Sequence, residues 1–290
     1  MTINYHTLTN WKIPKVEHSY SIKDTMLYTL ALGYGEDAAE NPIFLKFVYE
    51  SGLMSVPSMA AILGYPGFWM REPGTGIDWV KMLHGEQRIK IHERIPTQGT
   101  LVGLSRVKSI TDKGESKGAI VVVERRIINP KNDSLIGTVE QISFLRGNGG
   151  YSQSGQPSDP FLPGPSFSVQ PAQSKNVKIK VGKDMALIYR LCGDLNPIHA
   201  DPFIAQKAGF EKPILHGLAT YGLACRAIIH ALQISDPFEI ETLNVRFSAP
   251  VYPGETLLFE IHQTDKEIGF TATAEERKVI VMKDGYSKLR

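Results

Sequence analysis

The chain has 290 residues, 42% hydrophobic and 21% charged, a composition that builds a sizeable core and excludes disorder. Its 32 basic and 30 acidic residues leave a net charge of +2, which argues against a nucleic-acid-binding protein. No 18-residue apolar run is present, so no membrane span is expected. In chain order, Met1 to Val16 lacks the apolar segment of a signal peptide. A short helix is predicted around Lys23-Asp24 and Leu27, then a loop at Gly33, then a buried central helix within Phe47 to Trp69 that contains Ser58 to Leu63. Alternating or β-branched residues predict strands over Val80 to Ile95 and Gly118 to Arg146. Residues 147–171 are rich in Gly, Ser and Pro and read as an exposed linker.

The second part repeats the first. Lys183-Asp184, Leu187 and Gly193 recur 160 residues after Lys23-Asp24, Leu27 and Gly33, and Leu218 to Leu223 fall opposite Ser58 to Leu63. Pro250 to Gly254 answer Pro96 to Gly99, and strands are predicted over Thr242 to Ala249 and Thr256 to Glu260. A helix wrapped by a curved antiparallel sheet is a hotdog, so the expected fold is α+β, a double hotdog with repeats at 1–146 and 172–290.

Chemistry concentrates in the second repeat, in Tyr189-Arg190-Leu191-Cys192-Gly193-Asp194-Leu195-Asn196-Pro197-Ile198-His199. Gly193 and Pro197 preclude regular helix and turn the chain, so Asp194 and His199 can address one space, as an acid–base pair sharing a water must. Taken alone, this element reads equally as an Asp-initiated structural turn. Seventeen residues on, His216-Gly217 opens an apolar run to Ile229, a buried helix whose free N-terminal N–H groups can bind an oxyanion at Gly217. At the 160-residue offset, Asp194, Asn196 and His199 face Tyr34, Glu36 and Ala39, so one site per chain is expected. The Phe47 to Trp69 segment reads first as core and second as room for a bulky acyl chain.

The stretch Tyr189 to Ile229, with Asn244 to Gly254, resembles the MaoC-like type 2 enoyl-CoA hydratases, and Lys81 to Gln87 is similar to a segment in the first half of their two-repeat members. These are (R)-specific 2-enoyl-CoA hydratases, occurring alone or within peroxisomal multifunctional enzymes. The resemblance covers residues 15 to 285, and implies a hydro-lyase acting on acyl-CoA in fatty acid metabolism. It assigns the water and the proton to Asp194 and His199, orientation of the water or of Asp194 to Asn196, and the thioester oxygen to the Gly217 N–H. It further implies CoA-thioester contacts at His84 and Gly85, a phosphate contact at Lys113, packing against CoA at Phe247, and substrate contacts at Leu195, Pro197 and Ile198. His216 is expected to cap or orient its turn.

The resemblance implies no cofactor or metal and a homodimer, and a steroid-like, branched or dicarboxylic acyl substrate is an alternative to straight-chain ones. Competing chemistries are a Cys192–His199 nucleophile, a metal site from Asp194, His199, Asp201 and His216, a thioesterase and a non-catalytic acyl-CoA binder. Two cysteines, Cys192 and Cys225, offer no disulfide framework, so the cytoplasm is the expected compartment. Ser287-Lys288-Leu289 is followed by Arg290 and is not read as a peroxisomal address.

Overall fold

The computed structural model describes residues 2–167 and 174–290. Ten strands form one antiparallel sheet: β1 (Val16–Tyr20), β2 (Met82–Ile91), β3 (Gly99–Asp112), β4 (Ala119–Asn129), β5 (Ser134–Leu145), β6 (Lys175–Lys180), β7 (Ile240–Phe247), β8 (Thr256–Thr264), β9 (Glu267–Ala274) and β10 (Val279–Leu289). Their order is β1-β3-β4-β5-β2-β7-β10-β9-β8-β6. Counted outward from the β2–β7 seam, each side uses its strands in the same relative order, which is the duplication expected from the repeat. The seam is a continuous ladder from Glu86 opposite Arg246 to Lys90 opposite Thr242.

Among the described residues, six α-helices accompany the sheet: α1 (Tyr5–Thr9), α2 (Ile22–Leu30), α3 (Tyr34–Glu40), α4 (Met185–Tyr189), α5 (Pro202–Lys207) and α6 (Gly217–Leu232). The sheet curls around α6, whose residues Ala219 to Ile229 are all buried. Its side chains join Val245, Phe259 and Phe270 of the sheet in one core. Gly222 lets the first half approach, since a Cβ there would lie 2.5 Å from Leu32 Cδ1. The 160-residue register also holds locally. α2 and α4 correspond, and Gly33 and Gly193, which follow them, both have positive φ (80° and 124°).

The predicted central helix of the first half is the main correction. Only Pro57–Ala61 coils there, as a short 3₁₀ turn. Gly64 has φ +64°, and Pro66 disfavours helical angles at Tyr65, so the turn cannot propagate. Residues Phe47, Val56, Met59, Ala60, Ala61 and Leu63 are nevertheless buried in the core, so this stretch packs solid. An open space lies farther on, beside Tyr65 to Met70.

The stretch read as an exposed linker is tied to the sheet as far as Phe167; residues 168–171 lie outside the described residues. The Asn148 side chain accepts from Asp78 N and donates to Gly76 O, and Asp159 accepts from Ile110 N at 2.8 Å. Phe161 covers Ile120, Val122 and Ile142 on the convex face, and Phe167 reaches Gly269 in the second half. Those sheet residues are apolar outward as well as inward, which is why the chain between the repeats lies over them.

Candidate active site

Local sequence builds the catalytic loop after α4. Gly193 takes its positive φ behind a 3₁₀ turn at Arg190–Cys192, and Pro197 opens a second turn, Pro197–His199. The Asn196 side chain caps that second turn by accepting from Ile198 N (3.2 Å), while its own N–H donates to Asp194 Oδ1 (3.1 Å). Asn196 therefore holds Asp194 through its backbone. Arg190 Nη2 donates to the Leu195 carbonyl and pins the crest of the loop. Leu195 and Pro197 are exposed on that crest and Ile198 is half-buried, so the three rim the site.

His199 is buried, and its Nδ1 lies 2.8 Å from the Ile214 carbonyl. A carbonyl only accepts, so the ring hydrogen sits on Nδ1 and Nε2 keeps its lone pair. The same logic places the hydrogen of His216 on Nε2, which donates to the Asp194 carbonyl (3.1 Å). The two imidazoles stack with centroids 3.7 Å apart, and Tyr189 backs His216 at 5.1 Å. One potential ligand atom from each of Asp194, His199 and His216 lies within 4.8 Å of the others, the one such gathering among the described residues. His216 thus orients both members of the pair; the capping role expected for it is absent, because its side chain makes no cap bond to α6.

Burial holds both rings neutral. It pulls the His199 imidazole below its ordinary range against the opposing influence of the Ile214 bond and Asp194, and it pulls His216 lower, reinforced by His199. Cys192 is no nucleophile in this setting: burial, with Asp24 adding to it, pushes its thiol up to about 12. Asp201 stands apart, its carboxylate capping α5 by accepting from Phe203 N and Ile204 N. Asp194, His199 and His216 remain as metal-ligand types, with one ligand atom from each within 4.8 Å of the others.

The opposite wall comes from the seam. The Gly217 N–H opens α6, where no intrahelical acceptor exists. A Cβ on Gly217 would touch the Phe247 ring at 3.8 Å, and the His84 ring meets Phe247 edge-on at 5.0 Å. Burial draws the His84 imidazole down to about 4 although Asp194's charge pulls the other way, and its Nε2 has no partner. His84, Phe247 and Gly217 thus form one wall. Gly85 does something different: it sits at the β-bulge between His84 and Glu86, and a Cβ there would lie 1.9 Å from Phe144. Packing against Phe144 by itself requires a glycine there. Lys113 is exposed in the β3–β4 hairpin, at the same end of the sheet as His84.

Two expectations follow from this geometry. Gly217→Ala adds a methyl at ordinary contact distance in a helix, where alanine is favoured by up to about 1 kcal/mol. The variant should melt no lower than the parent yet lose about tenfold or more in kcat/KM, because the methyl stands before the N–H; unchanged turnover would remove Gly217 as the donor. The second expectation concerns pH. The unfolded chain binds protons on His84 and His216 near 6.5, whereas the folded protein resists them, to about 4 for His84. Stability is therefore complete above about 6.5 and falls as pH drops from there toward 4. Thermal unfolding at pH 7.5 and pH 5 checks this, and an equal Tm would refute neutral buried imidazoles.

Known proteins match this chain along nearly its full length. Residues 18–147 match the model of the MFE-2 hydratase 2 N-terminal domain, and residues 167–284 that of the MaoC like domain. The peroxisomal enoyl-CoA hydratase 2 of Arabidopsis thaliana is 34% identical over 99% of this chain and 96% of its own length. The crystal structure of a MaoC-like dehydratase from Phytophthora capsici superposes with a TM-score of 0.84 at 28% identity, covering 99% of each chain. A Mycobacterium tuberculosis protein described as a double hotdog shares the fold, with a TM-score of 0.56 at 14% identity over 96% of this chain and 94% of its own. With two matched repeats and a full-length relative above 30% identity, the chain belongs to the two-repeat, MaoC-like enoyl-CoA hydratase 2 family.

Proposed function

We propose that the protein reversibly adds water to a trans-2-enoyl-CoA to give the (R)-3-hydroxyacyl-CoA. The observation that carries this reading is the gathering of Asp194, His199 and His216, with one ligand atom from each within 4.8 Å of the others, where Gly217 opens α6 directly after His216. A water held between Asp194 and His199 loses a proton to one of them as its oxygen bonds to C3. His199 keeps its own ring hydrogen on Nδ1, tied to Ile214, so it brings no spare proton to the substrate. The proton that reaches C2 is the one taken from the water, and the water's atoms are thereby fully used. Negative charge passing through the thioester oxygen is met by the Gly217 N–H at the positive end of α6.

In this reading His84 and Phe247 flank the thioester arm, Leu195, Pro197 and Ile198 rim it, and Lys113 meets a CoA phosphate. Gly85 acts only through the bulge that places His84. The reaction needs no cofactor and no metal. The acyl chain exceeds four carbons and runs toward the space beside Tyr65 to Met70, since the Phe47 to Leu63 stretch is filled. The free thiols Cys192 and Cys225 suit a reducing compartment such as the cytoplasm, and the unpaired edges of β1 and β6 suit a homodimer. No helix of the described residues is long and apolar enough to cross a membrane.

The test follows loss of the conjugated enoyl absorbance with straight-chain substrates from C4 to C16, with chiral analysis of the product, before and after dialysis against EDTA. Turnover to the (R) isomer, rising beyond C4 and insensitive to the chelator, is expected. An (S) product, or no turnover of any chain length, overturns the proposed activity.

A further inference from the structure

Arg125 is the most anomalous charge in the molecule. It lies on β4 with its side chain on the concave face, between Val123 and Ile127, and is 5% exposed. It forms no ion pair among the described residues. Its Nη2 donates to the carbonyls of Ala60 (3.2 Å) and Ala61 (2.6 Å), which a continuing helix would have bonded. Its Nε–H has no acceptor. Holding an unpaired, partly unbonded guanidinium inside a protein costs several kcal/mol. Burial alone draws this one down to about 10, with the Tyr65 phenol opposing.

The group lines a cavity. Arg125, Ser105 and Gln141 from three adjacent strands face Tyr65, Phe68 and Trp69 across a space of about 20 Å³. That volume accommodates about one polar oxygen, as the leading oxygen of a terminal carboxylate would be. The Ser105 hydroxyl is also buried without a partner, so the cavity presents two unsatisfied polar side chains to whatever enters it. Tyr65 lines this space and lies just beyond the Pro57–Ala61 turn, which packs against α6. Its ring lies 5.6 Å from the Arg125 guanidinium; burial raises its phenol, Asp194 adds to the rise and Arg125 opposes it. The Tyr65 phenol thus lies within the electrostatic reach of both the catalytic carboxylate and the buried cation. Other charges on this strand, Glu124 and Arg126, alternate to the opposite face, where Glu124 pairs with Arg106 and Lys108.

We propose that Arg125, assisted by Ser105, receives a carboxylate at the far end of the acyl chain, making ω-carboxylated enoyl-CoA thioesters the preferred substrates. The inference rests on the hydratase reading above and deepens it. An acyl chain leaving the Gly217 N–H passes Tyr65 and places its terminal carboxylate on the Nε–H of Arg125 and the hydroxyl of Ser105. A methyl-terminated chain of equal length leaves the cation unmatched.

The experiment compares kcat/KM for ω-carboxy and methyl-terminated trans-2-enoyl-CoA esters of matched length, C6 to C16, in the wild-type protein, Arg125→Gln and Ser105→Ala. Hydrogen bonds to charged groups contribute about tenfold to a hundredfold, so the wild type should prefer the carboxylated ester by that factor at one or two chain lengths. Arg125→Gln should bring the ratio to about one. Ser105→Ala, which leaves the Ala60 and Ala61 carbonyls bonded, should lower it severalfold and serves if the Arg125 variant does not fold. Turnover of methyl-terminated esters with no preference for carboxylated ones at any length overturns the proposal and leaves the hydratase reading intact. A preference that survives both substitutions also overturns it. Absence of turnover with every ester sinks the hydratase reading and this inference with it.

Discussion

Asp194→Asn and His199→Gln should each lower kcat by about two to four orders of magnitude, the usual contribution of a positioned general acid or base. Both substitutions preserve shape. Asparagine at 194 still accepts the Asn196 N–H through its side-chain oxygen, and the 194 carbonyl still accepts from His216, so the loop keeps its bonds. Glutamine at 199 loses the Nε2 lone pair and the stack on His216 but can still donate to the Ile214 carbonyl. KM for the CoA ester should change by no more than a few-fold, because the groups that would flank the thioester lie on the other wall. His216→Asn tests the geometry from behind. It breaks the bond to the Asp194 carbonyl and the ring stack together, and should lower kcat while leaving KM near the parent value. Steady-state kinetics on one enoyl-CoA measures all three, and near-native turnover in either primary variant would dismiss the acid–base pair.

Arg226→Met should destabilise the fold more than any change at the catalytic loop. Arg226 sits on α6 and is buried, with Nε and Nη2 on the two Asp37 oxygens (2.7 and 2.9 Å) and Nη1 on the Leu32 carbonyl (3.0 Å). Asp37, on α3, is only 12% exposed, so removing the arginine strands a largely buried carboxylate. Breaking such a pair costs about 3–5 kcal/mol, which for a chain of this size lowers Tm by roughly 10 °C. The contact from Glu36 adds little, because that side chain is mostly exposed. Arg226→Met combined with Asp37→Asn should recover much of the loss, since no charge is then left unpaired. A single variant melting within about 2 °C of the parent would show that the pair is not what ties α6 to the first half.

The same helix α3 shows what the first half carries where the second carries the proposed catalytic loop. At the 160-residue offset, Tyr34, Glu36 and Ala39 replace Asp194, Asn196 and His199, and in the fold they form a helix whose acids meet Arg226. The repeat that lacks the acid–base pair has become the structural partner of α6.

Much of this was legible in residues one to a few positions apart. Gly193, Asn196 and Pro197 dictate the turn that presents Asp194 and His199, because positive φ, side-chain capping and a fixed φ are local properties. The apolar run from Leu218 to Ile229 specifies a buried helix, and the offset of 160 specifies two like halves. Sequence does not place Arg125 on the buried face of its strand, because Ile120, Val122 and Ile128 make the alternate face as apolar as Val121, Val123 and Ile127 make its own. Tertiary structure alone decided the rest. Seventeen residues of chain say nothing about whether His216 stacks on His199, and a helical reading of Ser58 to Leu63 fails because Gly64 and Pro66 outweigh good helix formers. The resemblance gives Gly85 a contact to the CoA thioester arm, and only the fold shows that the Phe144 ring, on the distant strand β5, occupies the space beside it. Residues 147–171 read as solvent-exposed from their Gly, Ser and Pro content, but as far as Phe167 the chain is tied to the sheet, with Phe161 over its convex face. Bond geometry within a turn is set by neighbours in sequence, whereas burial, stacking and charge pairing are set by whichever distant residues the β2–β7 seam brings together.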